Sequence, residues 1–104
     1  MRSIIDGKRY DTETATEVAE FANGDDRSNF HFFAETLYLT AKGSWFLFGR
    51  GHARSPYAES YGQNTLGWGG EIRAMSHEEA QDWLEQHQEV EALEAHFADV
   101  ITDA

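Results

Sequence analysis

The chain has 104 residues, 40% hydrophobic and 13% aromatic, enough for one modest core and well above the composition of disordered segments. Eight basic residues face 19 acidic ones, a formal charge of −11, and a field of that sign repels DNA, RNA and anionic membrane. The absence of cysteine excludes disulfides and thiolate metal sites. With only two consecutive large apolar residues near Met1 and no stretch of membrane-spanning length, the expectation is a soluble protein of a reducing cytosol.

Residues 3–10 predict a short strand, an Asp6-Gly7 turn and a return strand. Asp11 or Thr12 then suits the cap of a helix starting near Glu13, because Ala15, Val18, Ala19 and Ala22 fall on one helical stripe. Asn23-Gly24 would stop it. The central feature is a hairpin of residues 30–40 and 45–49 around a turn at Lys42-Gly43-Ser44, rich in Phe, Tyr, Trp, Leu and Thr. Apolar residues occur on both of its faces: Phe30, Phe32, Ala34 and Tyr38 on one, Phe33, Leu37 and Leu39 on the other. That pattern places the hairpin mid-sheet with helices on at least one side.

Residues 50–70 hold five glycines, the only proline and three aromatics, and read as a long ordered loop. Residues 71–75 return as a strand with Ile72 and Ala74 inward. Ser76-His77-Glu78-Glu79 has capping-box spacing, and Ala80, Trp83 and Leu84 form the stripe of the helix it opens. A second helical segment over 89–99 places Val90, Leu93 and Phe97 inward, extended by Val100. The expected fold is a single α+β domain: a small antiparallel sheet with a central hairpin, helices packed on it, and two C-terminal helical segments.

Catalytic patterns are missing. His31, His52, His77, His87 and His96 have no metal spacing, and neither Gly49-x-Gly51 nor Gly67-x-Gly69-Gly70 has the setting of a nucleotide loop. A binding protein without cofactor or metal is expected, not an enzyme. The charge is concentrated: residues 71–104 carry ten acidic groups and one basic. Glu78, Glu79, Asp82, Glu85, Glu89, Glu91 and Glu94 lie between the apolar helix positions with no lysine or arginine among them, so they repel one another. Such a face suits a basic protein surface, with Tyr57 and Trp68 as exposed aromatic anchors. The alternative is a small-molecule module, in which Arg50, His52 and Arg54 grip an anion and Tyr57, Tyr61 or Trp68 form an apolar wall. No residue pattern demands a dimer or a monomer.

The segments IDGKRYDTETA (5–15), ETLY (35–38), KGSWFL (42–47) and YGQNT (61–65) together resemble a family of small proteins found on phages and integrated mobile elements. The likeness runs through most of the chain and ends in the Ser-x-Glu-Glu-Ala…Trp-Leu-Glu helix of 76–85. It carries no catalytic motif and implies a context: an accessory protein acting inside a bacterial cell. Small, acidic, cysteine-free phage proteins are similar in kind to anti-CRISPR and other anti-defence inhibitors, several of which occupy the basic nucleic-acid channel of a host effector. By that analogy the acidic helices would act as a nucleic-acid mimic.

Overall fold

The computed structural model, which describes residues 1–63 and 65–104, is an α+β fold. Asn64, part of the 61–65 segment and of the expected long loop, lies outside the described residues. Arg2–Ile5 (β1) and Lys8–Asp11 (β2) form an antiparallel hairpin in which Ile5 pairs with Lys8. Its two-residue turn needs positive φ at both positions; Asp6 (51°) and Gly7 (77°) supply it, as the Asp-Gly pair predicts.

Thr16–Ala22 is a strand, β3, where the apolar spacing predicted a helix. The capping signal acts, but for one turn only. The Asp11 carboxylate accepts from the Glu13 N–H at 2.9 Å, and the Ala15 N–H donates to the Asp11 carbonyl at 3.1 Å. Thr14 within that turn and Thr16 and Val18 past it are β-branched, and three alanines give a helical stripe little area to bury. A register shift between Glu17 and Ala19 lets the neighbours Val18 and Ala19 both pack on the same core. Two adjacent inward residues in a bulged strand imitate the paired positions of a helix.

Phe33–Leu39 (β4) and Trp45–Gly51 (β5) are the two middle strands of a four-stranded antiparallel sheet, between β3 and the strand Gly69–Met75, so the hairpin is central as expected. β4 begins at Phe33 and not at Phe30. The Asn29 side chain accepts from the His31 N–H, and the Asn23 carboxamide bridges the His31 carbonyl and the Phe33 N–H, which folds residues 29–32 into a turn. At the other end the Thr40 N–H donates to the Ser44 carbonyl at 2.8 Å and Gly43 takes φ 87°. The expected loop contains a short hairpin, Glu59–Ser60 (β6) with Leu66–Gly67 (β7), before Gly69–Met75 (β8) closes the sheet.

His77–Gln86 (α1) opens on the predicted capping box: Ser76 Oγ accepts from the Glu79 N–H at 3.0 Å, and the Glu79 carboxylate accepts from the Ser76 N–H at 2.9 Å. Hydrogen bonding to the carboxylate, from the Ser76 backbone N–H first and then from the Ser76 hydroxyl, holds the Glu79 carboxyl below its ordinary pKa. Glu79 therefore stays ionised, and its share of the cap is lost only as pH falls through that lowered value. Ser76→Ala should cost about 1 kcal/mol of stability, read as a lower denaturation midpoint. Gln88, at φ 54°, ends the run, and Val90–His96 (α2) follows, then a 3-10 turn at Ala98–Val100.

The alternation of β4 and β5 divides the apolar residues between the two faces of the sheet. On one, Leu37, Trp45 and Leu47 pack with Ala80, Trp83 and Leu84 of α1 and with Phe97. On the other, Phe46 and Ile72 pack with Tyr10 of the β1–β2 hairpin, with Tyr38, Phe48 and Ala74 at the margin. Val90 and Val100, expected inside, are 55% and 51% exposed. The positive φ at Gln88 resets the helical phase, and Phe97 reaches the core as the non-helical C-cap of α2 (φ −131°) rather than along a stripe shared with Val90.

Candidate functional site

The acidic residues of the two helices stand where the spacing predicts. Glu78, Glu79, Asp82, Glu85, Glu91 and Glu94 are exposed and Glu89 is half-buried. Two carboxylates have local duties: Glu79 in the capping box, and Glu85, which accepts from the Gln81 amide at 2.9 Å. None is in an ion pair among the described residues, where the one salt bridge is Arg50–Glu20 at 3.3 Å. Glu78 and Glu79 favour the N-terminal end of the α1 dipole and Glu91 that of α2, but none of the seven has a cationic partner among the described residues.

Beside these carboxylates lies an apolar groove absent from the expectations. Val90, Leu93, Val100 and Ile101 line a depression of about 610 Å³, together with Glu85, Glu94 and Asp103. Ile101 is 43% exposed, so three large aliphatic side chains lie open to water on one acidic face. Apolar surface among uncompensated charges of one sign is the composition of a docking surface for a partner of opposite charge. The sequence concealed it by placing Val90 and Val100 on an inward helical stripe.

The loop residues are arranged differently from expectation. Tyr57 is not an exposed anchor: it is buried, its ring lies against Gly49, and its hydroxyl donates to the Glu35 carboxylate. Burial first, then that hydrogen bond, pushes the Tyr57 hydroxyl far above its ordinary pKa. Trp68 is half-buried, 5.9 Å from the Phe32 ring and 5.2 Å from the His52 ring, with the Arg27 guanidinium 5.6 Å from its own. Arg50 is bound to Glu20, which also accepts from Thr36 Oγ1 at 3.1 Å. His52 is tied down as well, its Nδ1 accepting from the Ala53 N–H at 2.7 Å, while Arg54 is exposed. A shallow depression of about 380 Å³ brings Arg50, Tyr61 and Trp68 together with Phe48 and Glu59, but neither His52 nor Arg54 lines it. The predicted three-residue anion grip does not converge.

No family model, curated protein or solved structure matches this chain. Among the described residues no helix is long and apolar enough to cross a membrane, and no group of three or more His, Asp or Glu is placed to hold a metal ion.

Two polar arrangements were not legible in the sequence. Glu35, on the helix-covered face, accepts from both the Tyr57 hydroxyl and the Trp83 indole N–H (3.0 Å), which pins the loop and α1 to β4. His77, an exposed residue of the first turn of α1, accepts from the Trp45 indole N–H at 3.1 Å and lies 4.4 Å from the Phe97 ring. Both depend on contacts more than 20 residues apart, and the only sequence signal was the pair of tryptophans, whose N–H groups need acceptors when buried.

Proposed function

We propose that this chain is an acidic accessory protein of a phage or mobile element. It binds a basic, nucleic-acid-binding surface of a bacterial defence complex and inhibits it, in the manner of an anti-CRISPR protein or nucleic-acid mimic. The observation that carries the reading is the union, on one face, of unpaired carboxylates with an open apolar groove. Asp82, Glu91 and Glu94 steer the encounter, with Glu78, Glu85 and Glu89, while Val90, Val100 and Ile101 supply surface to desolvate on contact. Anchoring passes from Tyr57, which is buried, to these aliphatic residues; Trp68, half-covered by its neighbours, sits outside the groove. The competing reading, a ligand held by Arg50, His52, Arg54 and Tyr61, has less support, because Glu20 neutralises Arg50 and neither His52 nor Arg54 lines the depression beside it.

The test is retention from a bacterial lysate on immobilised protein, beside a variant carrying Asp82→Lys, Glu85→Lys, Glu89→Lys and Glu91→Lys. A nucleic-acid-handling complex held by the wild type alone, and released by about 0.5 M salt, is the expected result. Equal retention by both proteins, or binding indifferent to salt, would overturn the electrostatic reading.

A further inference from the structure

On the opposite side of the sheet from the helices, the β1–β2 hairpin and the 40–44 turn enclose a cleft of about 600 Å³. Three of the eight basic residues in the chain, Lys8, Arg9 and Lys42, line it. All three are exposed, and none has an acidic partner among the described residues. In a protein of net charge −11, three cationic residues gathered around one concavity contrast with the acidic helices on the other side of the sheet.

The neutral groups around the cleft are also donors. Thr40 Oγ1 accepts from the Ser44 N–H at 3.0 Å, so its own proton is left to donate. The hydroxyls of Thr14 and Ser44 also line the cleft and make no hydrogen bond among the described residues. The one carboxylate in the lining, Asp11, is engaged through Oδ1 by the Glu13 N–H. The turn at residues 40–44 is held by the Thr40–Ser44 backbone pair and by the positive φ of Gly43, which fixes the position of Lys42 at its tip.

From this geometry we infer that the cleft is a binding site for a small, multiply charged oxyanion, of the phosphate or pyrophosphate class. Cationic and hydroxyl-bearing residues share its lining, and a ligand made of acceptor oxygens satisfies both kinds. The volume falls within the range of small-molecule sites, roughly 300–1,000 Å³. A polynucleotide is a poor match, because the field of the acidic helices opposes a long polyanion while three local cations suffice for a compact one. The site is independent of the acidic face and stands or falls separately from it.

Inorganic pyrophosphate titrated into the ¹⁵N-labelled protein at low salt tests this, with sodium chloride of matched ionic strength as the control. The expected result is saturable shifts of the Gly7, Lys8, Lys42, Gly43 and Ser44 amides, absent with chloride. The Lys8→Gln/Lys42→Gln variant should bind at least about tenfold more weakly, the loss expected for removing charge-assisted contacts. Arg54→Gln, a cation outside the cleft, should bind as the wild type does. All three substitutions are at exposed positions, so unchanged spectra without ligand will show that the fold is kept. Shifts that do not saturate, that appear equally around Arg27 and Arg54, or that survive the double substitution would overturn the proposal.

Discussion

Phe97→Ala should destabilise the fold by about 3–5 kcal/mol, the range for truncating a fully buried aromatic side chain. Phe97 has no exposed surface, stacks on Trp45 at 5.5 Å and 25°, and packs against His77 at 4.4 Å. It is also the residue by which the end of α2 reaches the sheet, since α2 itself has no fully buried position. The loss would be a large part of the stability of a domain this size, about 5–15 kcal/mol. Chemical denaturation should show a markedly lower midpoint. The neighbouring groove of Val90, Leu93, Val100 and Ile101 should lose its form with it, so partner binding should fail at temperatures where the sheet is still folded.

The second large effect is expected at Gly49, on the helix-covered face of β5. A Cβ built there would fall within the Tyr57 ring, which is held in place by its bond to Glu35. Gly49→Ala must therefore expel a buried aromatic side chain and strip Glu35 of a donor, an overpacking cost of about 3 kcal/mol. Tyr57→Ala removes the obstacle. The double variant Gly49→Ala/Tyr57→Ala should therefore be nearly as stable as Tyr57→Ala alone, a non-additivity measurable in one denaturation series. If the two losses simply add, the contact is not the cause.

What the sequence disclosed was mostly local. The Asp6-Gly7 turn, the Ser76–Glu79 capping box and the stripe of Ala80, Trp83 and Leu84 each follow from residues within a few positions of one another. The central place of the 33–51 hairpin was legible because its strands are apolar on both faces, and both faces are covered. β3 was misread because a bulge set Val18 and Ala19 side by side toward one core, copying helical spacing. The proposed docking surface was only half legible. Its charge is written in composition, but its apolar part depends on the backbone at Gln88, where a non-glycine residue takes a positive φ that nothing nearby in the sequence announces. The role of Tyr57 was missed for a related reason. Whether an aromatic in a glycine-rich loop is free or buried depends on a glycine eight positions earlier in another element.

The sheet separates two populations of charge, the carboxylates of α1 and α2 on one face and Lys8, Arg9 and Lys42 on the other. Such a molecule has an electric dipole as well as a net charge, and an external field exerts a torque on it. Near a basic surface it turns before it touches, leading with the helices. The cationic cleft then faces away into solvent, where a small anion can enter or leave while the acidic face is occupied.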